Sequence, residues 1–223
     1  MIVSVHLPKT GGRSFQISLK EYFGDSIKLD CGDFLFHKPP YQRNLEAIQK
    51  SIVIAEKEYP NTVKCIHGHF MPLKYLLLDT KNKLNFITWM RDPIERLYSH
   101  YHYWKNTYHP NKKNADMQLR MVEEKWTIEQ FCLSPELKNF YSQFLWGFPF
   151  GNFDFIGITE HYEEDLNYFS NRFLNKKLKY RWENKGHKRK YEINQAFRKK
   201  LEEHHKYDMD LYKRALKNRK NRI

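Results

Sequence analysis

The amino-acid sequence predicts a three-layer α/β fold in which helices cover both faces of a central parallel sheet. Short β-branched or apolar runs alternate along the chain with stretches of helical periodicity. Hydrophobic residues make up 40% of the 223 residues, while nine glycines and nine prolines are too few for a collagen-like or low-complexity chain. Because no internal repeat and no clear linker interrupt this pattern, we expect one domain over residues 1–223.

The first predicted unit consists of a strand, a tight loop and a helix. Residues 2–7 are rich in β-branched side chains, which indicates a strand. The prolines and glycines of residues 8–13 interrupt it, and helical spacing of apolar residues begins after Ser14. The loop therefore joins the carboxyl end of a strand to the N-terminus of a helix.

The next two strands are predicted on the same grounds. A helix over residues 45–59 precedes a short strand over residues 63–66. Residues 84–90 form the third strand, and Asp92 and Pro93 suit the first turn of the helix that follows. The apolar stripe of that helix consists of Ile94, Leu97, Tyr98, Tyr101 and Trp104, with Ser99 on another face.

The second half of the chain adds a fourth strand. A helical region over residues 117–146 precedes it, with plausible restarts at Thr127 and Ser134. The strand covers residues 153–158 and its helix residues 160–173. A basic loop over residues 176–191 and two closing helices complete the prediction. Strands that alternate with helices favour parallel pairing.

Positive charge is concentrated at the C-terminal end. The 39 Lys and Arg residues exceed the 26 Asp and Glu residues by 13, and residues 176–223 contain 18 of the former and 6 of the latter. Such a segment suits a nucleic acid, an acidic polymer or a phosphorylated small molecule. For the last ten residues we expect a solvated tail.

The sequence argues against membrane insertion and disulfide bonding. Apolar stretches such as residues 86–90 are far shorter than the ~20 residues of a membrane-spanning helix. The N-terminus lacks the basic flank and apolar run of a signal peptide. The three cysteines, Cys31, Cys65 and Cys132, are odd in number and widely spaced. We therefore expect a cytoplasmic chain without a disulfide framework.

The loop at residues 8–13 has the features of an anion site. A glycine-containing turn between a strand and a helix directs several backbone N–H groups and the positive end of the helix dipole toward one point. Gly11 and Gly12 allow close approach of the backbone, Lys9 adds a mobile charge, and Ser14 adds a hydroxyl. Lys9 precedes the glycines, so this is not a Walker A loop. The alternative is an ordinary turn with a surface lysine.

A second anion motif is predicted at the same edge of the sheet. Arg91 follows the third strand and Ser99 lies about two helical turns later, so both side chains can reach one phosphate near the carboxyl edge. The alternative is a structural arrangement in which Arg91 and Asp92 cap the helix. Two anion loops at one edge suggest a nucleotide that carries phosphates at both ends.

These segments resemble the sulfotransferases that use 3′-phosphoadenosine 5′-phosphosulfate (PAPS). Residues 8–15, Pro-Lys-Thr-Gly-Gly-Arg-Ser-Phe, resemble the 5′-phosphosulfate loop of that family, and residues 91–99, Arg-Asp-Pro-Ile-Glu-Arg-Leu-Tyr-Ser, resemble its 3′-phosphate motif. The chain is similar above all to carbohydrate sulfotransferases of the heparan sulfate 2-O-sulfotransferase type, which share the His67-Gly68-His69 element. Residues 155–160 and 201–212 look similar as well, so the likeness covers most of the chain.

The resemblance implies a P-loop-like sulfotransferase architecture and in-line transfer of the sulfuryl group from PAPS to a hydroxyl acceptor, most simply on a saccharide. It implies no metal, and adenosine 3′,5′-bisphosphate is the second product. By the resemblance, the catalytic residues are Lys9, as the cation at the bridging oxygen, and His69 as the base, with His67 as its substitute. The residues that would hold the co-substrate are Lys9, Thr10, Gly11, Gly12, Arg13, Ser14, Arg91, Ser99, Lys188 and Arg189.

The sequence also departs from the family pattern. Arg13 stands where these loops usually have Ser or Thr, and it either adds a cation for the phosphosulfate or faces solvent. His6 stands where the 2-O enzyme has an arginine. The chain lacks the membrane anchor and stem of Golgi enzymes, which points to a soluble microbial-type relative. The identity of the acceptor does not transfer across these differences.

Three alternatives accompany the sulfotransferase hypothesis. Cys65, His67 and His69 alternate, so a continuing strand would place them on one face as possible zinc ligands. An ATP-dependent kinase would use the same sheet edge, although the Walker A pattern is absent. A non-catalytic nucleic-acid-binding module would use the basic C-terminal segment and would show steeply salt-dependent binding, but we consider a nucleic-acid partner disfavoured.

Overall fold

The computed structural model describes residues 1–33, 38–56, 60–80, 83–111, 116–178 and 191–222. Within them the chain forms a five-stranded sheet in which all pairings are parallel. The strand order is β2-β3-β1-β4-β5. The strands are β1 (Ile2–Val5), β2 (Ile27–Leu29), β3 (Cys65–Gly68), β4 (Asn85–Met90) and β5 (Phe153–Ile158).

Helices occupy most of the remaining described residues. Short 3-10 turns at residues 24–26, 77–80 and 159–161 connect some of them to neighbouring strands. The α-helices are α1 (Gly12–Phe23), α2 (Pro40–Glu56), α3 (Leu73–Leu76), α4 (Pro93–Asn106), α5 (Asp116–Glu123), α6 (Ile128–Cys132), α7 (Phe140–Phe144), α8 (Tyr162–Phe173), α9 (Gln195–His204) and α10 (Lys206–Lys220). The helical region predicted over residues 117–146 is therefore three short helices, the second of which begins with a capping box at Thr127.

The two faces of the sheet carry separate hydrophobic cores, because neighbouring side chains along a strand point to opposite faces. On one face, Val3 and Val5 belong to the larger core, to which α4, α7 and α10 contribute. On the other face, Ile2 belongs to a smaller core with residues of α1 and α8. Helices thus cover both faces, and the predicted three-layer α/β class with a parallel sheet is confirmed. The prediction of one domain over residues 1–223 stays a prediction.

The fifth strand, β2, is absent from the sequence prediction. It consists of only three residues at the edge of the sheet, where it pairs with β3 alone, and two of the three are exposed. Hydrophobic alternation is the pattern that indicates a strand, and three residues with one partly buried side chain provide almost none of it. The four predicted strands are all present, although β1 ends at Val5, two residues earlier than expected.

The order of the strands locates the switch point of the sheet. The chain leaves β1 toward β2, on the β3 side, whereas it leaves β4 toward β5, on the opposite side. Adjacent strands whose connections diverge leave a crevice at their carboxyl ends, and open α/β sheets bind ligands there. The crevice lies between the loop after β1 and the loop after β4, which are the two predicted anion loops.

The C-terminal helix α10 is an integral part of the fold. Tyr212 and Ala215 are buried in the larger core. Arg219 donates from Nε to the fully buried carboxylate of Asp165 at 2.9 Å, and Arg222 pairs with the same carboxylate at 2.9 Å. The expectation of a solvated tail is therefore wrong for this helix, because Arg219 and Arg222 bind the buried carboxylate of Asp165, although Arg214, Lys217 and Lys220 are exposed. Among the described parts of the chain, every helix is too short or too polar to span a bilayer.

Candidate active site

The loop after β1 turns sharply into α1. Lys9 and Gly11 adopt left-handed backbone conformations, with φ of 69° and 84°. This region disfavours side chains other than glycine, so the backbone at Lys9 is strained. Gly11 is the N-cap of α1 and has no side chain with which to cap the first turn. The first N–H groups of a helix have no partner within the helix, and such groups can bind an anion.

Thr10 supports this loop from within. Its side chain is fully buried, and its hydroxyl donates to the Leu7 carbonyl at 2.8 Å. The structure thus directs the hydroxyl into the protein, and Thr10 contributes to the predicted anion site by fixing the shape of the loop. Ser14 is also buried, on the first turn of α1, whereas Arg13 is exposed on that turn.

Lys9 lies in an environment that weakens its hold on a proton. Its Nζ atom rests 3.8 Å from the centre of the Tyr103 ring on α4. Burial, and secondarily the positive charge of Arg91, lowers the pKa of Lys9 to about 8. Lys9 and Arg91 are thus close enough for their positive charges to interact, which is typical of a site for an anionic ligand.

The second anion loop begins at Arg91, directly after β4. Its side chain is almost completely buried and contacts Glu95 with a separation of 3.4 Å. Its backbone is held by Tyr141, whose hydroxyl donates to the Arg91 carbonyl at 2.8 Å. Glu95, Ser99 and Tyr103 follow one another at intervals of four residues, so they share one face of α4. Since Lys9 rests on Tyr103, this helix face connects the two predicted anion loops.

A threonine after β5 ties the two loops together. The Thr159 hydroxyl lies 2.9 Å from the Thr10 carbonyl and 3.0 Å from the Met90 carbonyl. A hydroxyl has one proton, so the two carbonyls share it. The neighbouring Glu160 accepts a hydrogen bond from the Asp92 N–H at 2.9 Å. The end of β5 therefore sets the separation of the loops that follow β1 and β4.

His69 follows β3 at the same edge and has the geometry of a base. Its Nδ1 atom lies 2.7 Å from the His6 carbonyl oxygen, which can only accept, so Nδ1 carries the proton. The neutral ring then has a free lone pair on Nε2. Burial lowers the pKa of His69, although the bond to the His6 carbonyl opposes that effect. The imidazole is therefore neutral at neutral pH and able to accept a proton.

His67 occupies a different environment from His69. Only 1% of it is exposed, its Nδ1 lies 2.9 Å from the Ser4 hydroxyl, and the edge of the Phe15 ring faces it. Burial, followed by the charges of His69 and Lys20, lowers the pKa of His67 to about 3. The structure does not bring His67 to the open part of the site, where His69 lies.

The zinc alternative gains no support from the arrangement of its ligands. Cys65 and His67 face the smaller core, where burial raises the pKa of the Cys65 thiol. His69 lies beyond the end of β3 and is directed toward β1. Within the described residues, no group of three or more His, Cys, Asp or Glu side chains is arranged to hold a metal ion.

Several residues of the site were not predicted from the sequence. The ring of His6 stacks on that of His69 with their centres 4.1 Å apart, and Tyr103, Thr159 and Glu160 provide the contacts described above. These contacts join parts of the chain that are remote in sequence. Strand-end position is the one sequence feature that could have indicated Thr159. Lys188 and Arg189 lie outside the described residues.

Comparisons with known proteins give a structural likeness. No family model matches the sequence, and no curated protein matches it significantly. Among solved structures, the chain is similar to the mouse sulfotransferase SULT7A1 complexed with PAP, with 12% sequence identity and a TM-score of 0.38. The alignment covers 91% of this chain and 62% of the mouse chain. At this identity and TM-score, the assignment of a function depends on the residues of the site itself.

Proposed function

We propose that the chain is a sulfotransferase that transfers the sulfuryl group of PAPS to a hydroxyl group, with a saccharide as the acceptor class. The observation that carries the proposal is the convergence of the Lys9 loop, the Arg91 loop and His69 at the carboxyl edge of β1, β4 and β3. Two cationic loops at the switch point suit a ligand with two anionic ends. A saccharide acceptor follows from the resemblance of the His67-Gly68-His69 element to carbohydrate sulfotransferases.

In this proposal the two loops hold opposite ends of PAPS. The first-turn N–H groups of α1, from Gly12 to Ser14, bind the phosphosulfate, as helix N-termini bind phosphate groups. Arg91 and Ser99 bind the 3′-phosphate, where the planar guanidinium can form two parallel hydrogen bonds. Lys188 and Arg189 remain candidates to cover the nucleotide, and Arg13 remains a candidate for an additional cation.

The reaction exchanges one oxygen on sulfur for another. The acceptor oxygen forms a bond to sulfur while the bond between sulfur and the bridging phosphate oxygen breaks, which releases adenosine 3′,5′-bisphosphate. His69 accepts the acceptor's proton on Nε2, the atom left free by the bond from Nδ1 to His6. The flexible stem of Lys9 carries its ammonium from the Tyr103 ring to the bridging oxygen, where it offsets the growing negative charge.

Titration calorimetry with adenosine 3′,5′-bisphosphate tests the donor site without knowledge of the acceptor. The same titration with AMP, and with ATP in the presence of Mg²⁺, supplies the comparison at fixed moderate salt. We expect the bisphosphate to bind at least about 100-fold more tightly than AMP, because the 3′-phosphate adds a charge-assisted contact to Arg91. Arg91→Gln should abolish that preference.

Other outcomes point to other functions. Equal affinity for the bisphosphate and AMP would contradict a 3′-phosphate site at Arg91. A preference for ATP with Mg²⁺ would favour the kinase alternative. Binding to any duplex or single strand with a steep salt dependence, and none to nucleotides, would favour the nucleic-acid module.

A further inference from the structure

The ring of His6 lies between the proposed base and the proposed donor loop. It stacks on His69 with ring centres 4.1 Å apart and planes inclined by 24°. It also stacks with His67, with centres 5.4 Å apart and planes inclined by 25°. His6 follows β1 directly, and its N–H donates to the Gly68 carbonyl at 2.8 Å. The backbone of His6 is thereby fixed to the end of β3, which carries His69.

The same ring fills the space beside Gly12. A Cβ atom added to Gly12 would lie 1.8 Å from Nε2 of His6 and 2.0 Å from its Cδ2. Every other amino acid at this position would collide with the ring, so Gly12 and His6 depend on each other. The first residue of α1 therefore packs directly against the His6 ring.

We propose that His6 is a positioning residue for His69, holding the base through its carbonyl oxygen and through the face of its ring. The carbonyl selects the tautomer, because it accepts the Nδ1 proton of His69 at 2.7 Å and leaves Nε2 unprotonated. The ring selects the orientation, because it covers one face of the His69 imidazole. Gly12 confines that ring, so the loop that binds the donor also determines where the base points.

The surroundings of His69 explain why a neutral partner is suited to this place. The groups coupled electrostatically to His69 include His6, His67 and His100. These three are bases, so a further positive charge beside His69 would oppose its protonation in the reaction. Burial, together with the charges of His69, His67 and Lys9, lowers the pKa of His6 well below its ordinary value. His6 therefore stays uncharged and acts through contact alone.

This inference rests on the proposed function, since it takes His69 as the base, but its test does not need the acceptor. Nitrogen-15 spectra of the histidine rings in the full chain report the tautomer and the protonation midpoint of His69, assigned by comparison with His69→Ala. We expect the native chain to show the Nδ1-protonated tautomer and a midpoint below 6.5. His6→Ala keeps the carbonyl oxygen, so the Nδ1-protonated tautomer should persist, but it opens the face of the ring to water, so the midpoint should rise toward 6.5.

Two further variants separate positioning from packing. His6→Gln places a neutral planar amide where Nε2 lies, and it should restore the native midpoint. His6→Asn, whose amide ends short of that position, should behave like His6→Ala and serves in its place if the alanine variant does not fold. His109→Ala, which removes an exposed histidine, should leave His69 unchanged. In a transfer assay, His6→Ala should lower turnover by about 100-fold while the affinity for adenosine 3′,5′-bisphosphate stays the same within about threefold.

The outcomes distinguish this inference from the proposed function. If the native chain binds no adenosine 3′,5′-bisphosphate, the proposed function fails whatever the spectra show. If it binds the bisphosphate and His6→Ala leaves the midpoint of His69 unchanged, only the role of the His6 ring is refuted. Failure of His6→Gln to restore the native spectrum would equally overturn it, because a neutral planar group would then not suffice.

Discussion

Replacement of Arg219 by leucine tests whether the C-terminal helix supports the site. The Asp165 carboxylate is fully buried and binds three groups: the Ile158 N–H at 2.7 Å, Arg219 Nε at 2.9 Å and a guanidinium nitrogen of Arg222 at 2.9 Å. Loss of one partner from a buried ion pair costs about 3–5 kcal/mol, because the other charge stays buried. Since Arg222 still contacts Asp165 in Arg219→Leu, we expect about 3 kcal/mol, the lower end of that range.

This cost is large compared with the stability of a domain of this size, which is about 5–15 kcal/mol. Equilibrium unfolding in urea, followed by circular dichroism, measures it. Lys213→Leu is the matched control on the same helix, since it also exchanges a cation for leucine but removes an exposed pair with Asp210 at 3.9 Å. We expect the control to change the free energy of unfolding by less than about 1 kcal/mol.

We also expect the effects of replacing Asp165 and Arg219 to be coupled. Asp165→Asn combined with Arg219→Leu should cost less than the two single replacements added together, because the double variant leaves no unpaired carboxylate. An Arg219→Leu cost no greater than that of Lys213→Leu would refute the assignment of α10 to the fold. For the same reason, a chain shortened after Lys213 should be unstable, so its inactivity would say nothing about nucleic-acid binding.

Three further predictions concern the site. Lys9→Met should lower turnover by about 100-fold or more without loss of stability. In the native chain, the affinity for adenosine 3′,5′-bisphosphate should fall as the pH rises through about 8, because Lys9 loses its proton there. An unfolded lysine keeps its proton to about 10.5, so the contribution of Lys9 to stability should rise between these pH values in urea titrations. Thr159→Val, which keeps the shape of the side chain, should destabilise the fold by about 1–2 kcal/mol and weaken bisphosphate binding measured by calorimetry. Unchanged affinity would show that the loops keep their separation without the hydroxyl. His69→Ala should remove transfer but preserve bisphosphate binding, and the native rate should decline only below pH 6.5, because burial lowers the pKa of His69. A decline that begins above pH 6.5 would contradict His69 as the base.

The sequence predicted the parts of this protein that depend on local patterns. Strands β1, β3, β4 and β5 and the helix after Asp92 follow from periodicity and capping preferences, and the structure confirms them. The short edge strand β2 was missed because three residues, only one of them partly buried, carry no alternation. Strand ends at one edge of a parallel sheet meet by geometry, so the approach of the two anion loops was also predictable.

The contacts that shape the site depend on residues far apart in the sequence. The Lys9 motif suggested an anion site but not that Lys9 would rest on Tyr103, which requires the exact placement of α4 beside β1. His67 and His69 look equivalent in the sequence, and only the end of β3 after Gly68 separates a buried ring from one at the edge of the site. The prediction of a solvated tail failed because the charge of the segment does not reveal that Arg219 pairs with the buried carboxylate of Asp165.

The bond from Thr159 to Thr10 also bears on the synthesis of the chain. The two residues are 149 positions apart, so the loop after β1 is made long before the residue that completes its shape. A chain emerging from the ribosome can form β1 and α1 early, but it acquires the final separation of its two loops only after β5 has joined the sheet. Under the proposed function, nucleotide can therefore bind and stabilise only a chain that has already been made beyond β5, which places ligand binding after the sheet has formed.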